Sequence, residues 1–370
     1  EALAYTCDVI RTAVENWGFD YLKLDFLYAA ALDGVYQDPT QTRAQVLRLG
    51  LEALRDAAGP EVMLLGCGCP LGSGLGLFEA MRISADVSGY WEPHFPPFSP
   101  LLRKEPHMPA ARNALQNILS RAYLHRHWWI NDPDCLLVRP ETNLSPAEVQ
   151  TLATAIGMTG GSLLLSDNLP DLPDSRLRIA QSLLPVIDQR PQVIDWMDRT
   201  TPSMLRLDLE GAAGKWHLLA QFNQGEDTVE LAFSPQSFRL PDGVWWVREF
   251  WTGKIGQMSS KSPFSLSDVP SHGVRILAVR PCTPQQPTYL GGNLHLSQGI
   301  EIREWQIKNN SLAFSLELGR QVSGEIFLHL PKAPLGAWVG NQSQMLEDQG
   351  RGIYSLYLEK AEGKEIRIKT

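Results

Sequence analysis

At 370 residues the chain is long enough for two or three domains and at least one large core. Its apolar (44%) and charged (20%) fractions are ordinary for a globular protein, and the net charge of −8 argues against nucleic acid or an anionic membrane as partner. No apolar run approaches the roughly 20 residues of a membrane helix.

In chain order, Leu3, Cys7, Ile10, Val14 and Trp17 recur at helical spacing, and Gly18 is placed to stop that helix. Tyr21 to Phe26 follows as a short buried strand. Side chains alternate across a strand, so Lys23 and Asp25 share one side, an ammonium beside a carboxylate. Such a pair reads either as a structural salt bridge or as a carboxylate kept ionised to act as a nucleophile. A helix carries Ala44, Leu47, Leu51, Leu54 and Ala58 on one face, and Gly59-Pro60 ends it. Val62 to Gly66 reads as a second strand, leading into a loop with Gly66, Gly68, Gly72, Gly74 and Gly76. That loop matches neither the P-loop nor the G-x-G-x-x-G spacing, so it serves close backbone approach better than nucleotide phosphates.

Arg82 to Asp86 reads as a third strand ending in a carboxylate, with Arg82 about 13 Å from Asp86 along extended chain. The proline-rich stretch Ser88 to Pro109 carries Tyr90, Trp91, Phe95 and Phe98, which favour an ordered lid over a linker. A helix from Ala110 to about Arg126 precedes a fourth strand, His127 to Asn131, and the turn Asp132-Pro133-Asp134. Ser145-Pro146-Ala147-Glu148 has the capping-box form, opening a helix that ends near Gly157. Ser162 to Ser166 is expected as a fifth strand, closed by Asp167, and a last helix starts near Asp174.

Repeated strand–helix units mean a parallel sheet, either doubly wound or a βα barrel. Asp25, Asp86, Asp132 and Asp167 all fall at strand carboxyl ends, where both architectures bind ligands. Polar groups supplied by several strands suit the barrel. About five of its eight units are expected, within 1–198, and the others would precede Glu1. The start at Glu1, without Met, likewise reads as a processed protein or a segment. From Met204 the pattern becomes short strands with polar turns: Met204 to Leu209, Trp216 to Phe222, Thr228 to Leu231, Val244 to Phe250 and Val274 to Val279. An antiparallel β-sandwich is expected over 199–281, and a further β module or an extension over 282–370.

The five cysteines, Cys7, Cys67, Cys69, Cys135 and Cys282, are odd in number and scattered. They suggest no disulfide framework, lean towards the cytoplasm, and lack the second ligand pair of a zinc site. Asp25 and Asp86, on strands whose ends face one pocket, make the arrangement that glycoside hydrolysis needs. Lys23 would hold Asp25 ionised as the nucleophile, while Asp86 would keep a proton through burial or the charge of Asp25.

Lys23-Leu24-Asp25 and Arg82-Ile83-Ser84-Ala85-Asp86 resemble the K-x-D and R-x-x-x-D motifs of the melibiase-type α-galactosidases, glycoside hydrolase family 36 and its clan relatives. The phrases Gly66 to Gly72 and Trp129 to Cys135 look like bacterial members. The resemblance covers about Glu1 to Pro185. It implies a retaining double displacement on terminal α-linked galactose, with Asp25 as nucleophile and Asp86 as general acid/base. Lys23 and Arg82 would bind sugar hydroxyls, Cys67 and its loop would line the pocket, and Asp132 would belong to the pocket wall. Trp91 is a candidate stacking surface for a sugar or a packing residue of the lid. No cofactor or metal is implied, and the partner is an α-galactoside oligosaccharide; a homo-oligomer is compatible. Family members begin with a β domain and first barrel strands that are not in this sequence, so this segment alone is expected to be inactive or poorly folded, with an apolar edge exposed. The same motifs serve an α-N-acetylgalactosaminidase or a raffinose-type galactosyl transferase. A carbohydrate-binding protein that has lost the chemistry is the reading of another class.

Overall fold

The computed structural model describes residues 1–308 and 310–370. They form two compact units, Glu1–Cys135 with Gly160–Leu164 and Leu136–Thr159 with Leu165–Thr370.

In the first unit four strands, β1 (Tyr21–Leu24), β2 (Met63–Gly66), β3 (Ala80–Arg82) and β4 (Ile130–Asp132), pair in parallel and in sequence order. Helix α1 (Ala2–Arg11) precedes β1, and α2 (Arg43–Ala58) connects β1 to β2. The start of α2 is encoded locally. Thr42 accepts from the Gln45 backbone N–H, and the Gln45 side chain accepts from the Thr42 N–H, a full capping box. Leu47, Leu51, Leu54 and Ala58 form its buried face, each leucine contributing about 1.5–3 kcal/mol. A single turn α3 (Ser99–Leu102) and the helix α4 (Ala111–Arg121) connect β3 to β4. The register pairs Lys23 with Leu65, Gly66 with Met81 and Arg82 with Asp132, which aligns the carboxyl ends of all four strands.

Several expected elements are corrected. β1 is not buried: Tyr21 and Lys23 are exposed and only Leu22 and Leu24 are half-covered, because β1 is the edge of the sheet. The apolar edge anticipated from the sequence is present, with Trp17, Phe19 and Phe26 all more than half exposed. β3 ends at Arg82 rather than running to Asp86, and β4 begins at Ile130 rather than His127. There the chain turns through Arg126, whose φ is +58° and whose N–H donates to the Trp129 carbonyl at 2.7 Å. The fifth strand shrinks to Leu164–Leu165, which is not part of the four-stranded sheet. Two glycines of the glycine-rich stretch pack closely against Met81 and Phe78. A Cβ on Gly66 would meet Met81 Sδ at 2.9 Å, and one on Gly74 would meet Met81 Cε at 2.5 Å.

The second unit contains α5 (Pro146–Thr159) and α6 (Asp174–Gln181). Ser145 and Glu148 exchange the capping hydrogen bonds that the sequence predicts. The strands from Met204 onward are antiparallel, as their alternation predicts. Five of them, up to Pro281, form one sheet together with the short strand Gln192–Val193, and Val229–Phe233 pairs with Phe264–Val269. Leu219, Phe233, Phe238, Val247, Leu266 and Leu277 form the core there. Beyond Thr288, a four-stranded and a five-stranded sheet enclose a separate core of Leu312, Phe314, Leu316, Ile326, Leu328, Leu356 and Ile366. Among the described residues no helix is long and apolar enough to cross a membrane.

Candidate active site

The loops after β1 and β2 are tied together by main-chain hydrogen bonds. Cys67 N–H donates to Leu24 at 2.8 Å, and Tyr28 N–H donates to Gly68 at 2.7 Å. This sets Asp25 beside Cys67. Phe26 takes a left-handed conformation (φ +54°), and its N–H donates to Asp25 Oδ1 at 2.7 Å. The Asp25 carboxyl is held below its ordinary range, chiefly by a hydrogen bond from the Cys67 side chain. Partial burial opposes this, and the Phe26 N–H and then the charges of Lys23 and Arg82 reinforce it. The expected direction is therefore found, but Lys23 is a lesser cause. Burial pushes the Cys67 thiol up to about 12, with the Asp25 hydrogen bond adding to it, so it stays a protonated donor.

Arg82 ends β3, and its side chain is 3% exposed. Its guanidinium meets three carboxylates, each at 2.9 Å: Nε to Asp132, Nη2 to Asp134 and Nη1 to Asp86. The contact with Asp86 corrects the extended separation expected from sequence, because the chain turns immediately after Arg82. Ile83 N–H donates to the Asp132 carbonyl, and Val87 N–H donates to the Asp134 carboxylate. Burial pulls the Arg82 guanidinium down, but Asp132 and Asp134 outweigh it, so it lies above its usual value. Asp86 is not buried, contrary to expectation: its side chain is 69% exposed.

Asp25, Cys67, Arg82 and Asp86 line one cavity of about 460 Å³, with Tyr28, His107 and Arg121 in the same wall. Three of the expected site residues stand outside that lining. Lys23 is exposed on β1, acting on Asp25 through its charge. Asp132 is fully buried behind Arg82 and accepts the Asp134 N–H with its other oxygen. Trp91 is half-buried, and its carbonyl accepts the Arg112 N–H at 2.9 Å. The proline-rich stretch is ordered, as its aromatics suggest: Tyr90 stacks on His94, and Glu92 pairs with Arg103 and Arg112. Asp134, Tyr28, His107 and Arg121 were not anticipated. Only Asp134 carried a signal, its place in the Asp132-Pro133-Asp134 turn.

A parallel βα sheet with a carboxylate pocket at its carboxyl ends, followed by antiparallel β modules, defines a fold class used by glycosidases. No family model matches the chain. Among solved structures it is similar to α-galactosidase I from Mortierella vinacea, with 18% identity over 74% of this chain and 71% of that one and a TM-score of 0.54. A GH27 β-L-arabinopyranosidase from Geobacillus stearothermophilus matches with 16% identity over 77% and 63% and a TM-score of 0.52. The α-galactosidase from Thermus thermophilus, solved with stachyose, is 34% identical over 47% of this chain, with a TM-score of 0.40. This chain spans about a third, 36%, of that protein's length. The fold is that of the melibiase-type α-galactosidases and their relatives.

Proposed function

We propose that the protein is a retaining glycoside hydrolase releasing terminal α-linked galactose from oligosaccharides. The observation that carries this reading is the meeting of Asp25 and Asp86 in one cavity, with Asp25 kept ionised by the Cys67 thiol. In the first step an Asp25 oxygen attacks the anomeric carbon while the bond to the leaving oxygen breaks, and Asp86 protonates that oxygen. Water then attacks the same carbon, its proton passes to Asp86, and the Asp25 carboxylate is restored with galactose released in the α configuration. Arg82 holds Asp86 at the pocket rim through the 2.9 Å ion pair, a contact that counts against Asp86 as the acid and that must open before Asp86 can carry the proton the first step needs. Arg82, fixed by Asp132, would bind sugar hydroxyls; Lys23 and Trp91, which stand outside the cavity lining, would have to turn towards the sugar to bind or stack on it. Residues 1–198 would then contribute strands to a (β/α)8 barrel, with 199–281 and 282–370 as β modules; the shared fold supports this. The chemistry requires no cofactor.

The reading is tested with nitrophenyl glycosides and the whole protein. The α-galactoside is expected to be turned over at least about tenfold better, in kcat/KM, than the α-N-acetylgalactosaminide or the β-L-arabinopyranoside. Preference for the N-acetylgalactosaminide, or transfer to a second sugar in place of hydrolysis, would move the protein to those activities. No turnover of any of them by folded protein favours the carbohydrate-binding reading.

Cys67 supplies a pH prediction. Its hydrogen bond lowers the Asp25 pKa, so removing it in Cys67→Ala raises that pKa. More of the nucleophile is then protonated at low pH, and the acidic limb of the kcat/KM profile moves to higher pH. A limb that stays in place, measured from pH 3 to 7, would remove the thiol from this role.

A further inference from the structure

Asp86 lies beyond the end of β3 and outside any strand, so no sheet ladder fixes it. Helix α4 holds the turn that carries it from both ends. At the start of α4, the N–H of the N-cap Ala110 donates to the Asp86 carbonyl at 3.1 Å. The next two N–H groups, of Ala111 and Arg112, donate to the Tyr90 and Trp91 carbonyls at 3.0 and 2.9 Å. A helix cannot satisfy these first donors internally, and the segment from Asp86 to Trp91 does so. At the other end Arg121, the last residue of α4, directs its guanidinium to the carboxyl end of β3, where Nη1 donates to the Ile83 carbonyl. The Ile83 N–H donates to the Asp132 carbonyl at 3.0 Å, so both main-chain groups of the residue after Arg82 are held.

Arg121 differs from Arg82 in the same cavity wall. It is half-buried and, among the described residues, has no carboxylate partner. Burial lowers its pKa, with the charge of Tyr123 opposing. A half-buried cation without a counter-ion is costly unless its hydrogen bonds offset the loss of water. Its main chain is anchored too, since the Arg121 carbonyl accepts from the buried Asn131 Nδ2 at 3.0 Å. We propose that Arg121 is a positioning residue for acid–base catalysis: by gripping the Ile83 carbonyl it fixes the main chain of the turn 83–86, and so the point from which Asp86 reaches the leaving oxygen. The inference rests on the reading of Asp86 as the general acid/base. It also accounts for how the Arg82–Asp86 ion pair can open without loss of geometry. With Ile83 and the Asp86 carbonyl held by the two ends of α4, only the exposed Asp86 side chain has to move.

The test compares kcat/KM of the whole protein and its Arg121→Met variant on two α-galactosides that differ in their need for an acid. Methyl α-galactoside has a leaving oxygen that must be protonated as it departs; 2,4-dinitrophenyl α-galactoside has one that departs without a proton. A displaced acid is expected to lower kcat/KM for the methyl galactoside by about 30-fold or more, and for the dinitrophenyl galactoside by about threefold or less. A purely structural arginine would lower both alike. Circular dichroism and a thermal melt establish that the variant is folded; if it is not, Arg121→Gln, polar but too short to reach Ile83, is measured with the same split expected. Equal loss on both substrates, or no loss on either, in a folded variant of an active parent would overturn the proposal and leave the catalytic reading standing. A folded parent that turns over neither substrate would overturn that reading and this inference with it.

Discussion

Asp25→Ala is expected to reduce α-galactoside hydrolysis by the whole protein by roughly three orders of magnitude or more, on the order of 4 kcal/mol in the barrier. The substitution is suited to reading chemistry because Asp25 is exposed and stands outside the buried ion pairs around Arg82. Its thermal melt should therefore stay close to that of the parent. Azide is small enough to occupy the space of the lost carboxylate and needs no proton removed. It should restore turnover of an activated aryl galactoside and give the β-galactosyl azide, since it attacks from the face that Asp25 used. Formation of the α-azide, or full activity in the folded variant, would take the nucleophile role from Asp25.

Arg82→Met is the substitution with the largest expected cost in stability. It leaves Asp132, fully buried, and Asp134, whose side chain is 11% exposed, facing each other without their guanidinium. Breaking a buried pair from one side costs about 3–5 kcal/mol, because a charge remains without its partner. Urea denaturation should show a lower midpoint with an unchanged slope. Adding Asp132→Asn to Arg82→Met removes the most deeply buried orphan charge, so the double variant should lose less than the sum of the two single changes. A loss below about 1 kcal/mol in Arg82→Met would mean that the arginine is not holding this corner together.

The sequence made one part of this site readable and concealed another. Lys23, Asp25, Arg82 and Asp86 stood out because each pair lies within one short stretch, where spacing alone is informative. The resemblance built on those stretches pointed to the same group of proteins as the fold comparison does. The clamp on Arg82 was concealed because its partner Asp132 lies 50 residues away, and no local pattern encodes that pairing. The same distant contact explains the misread third strand. An R-x-x-x-D spacing looks extended, but Asp132 and Asp134 capture the backbone at Ile83 and Val87 and bend it. The apolar stretch of β1 reads as buried because such a stretch looks alike in a central and an edge strand; position in the sheet decides exposure. The capping boxes of α2 and α5 were legible or recoverable because all their atoms lie within four consecutive residues.

The ordering of β1 to β4 also has a kinetic consequence. Each parallel pairing must close a long loop before its contacts repay the lost chain entropy, which makes such sheets slow to assemble. Helices α1 and α2 can form early from local signals, but Arg82 meets Asp132 only after β4 has docked beside β3. The Arg82 ion pairs behind the pocket are therefore expected to form only once β4 is in place. Recovery of the Arg82–Asp132 contact during refolding would lag behind recovery of helical signal, so the corner between β3 and β4 would report closure of the fourth strand.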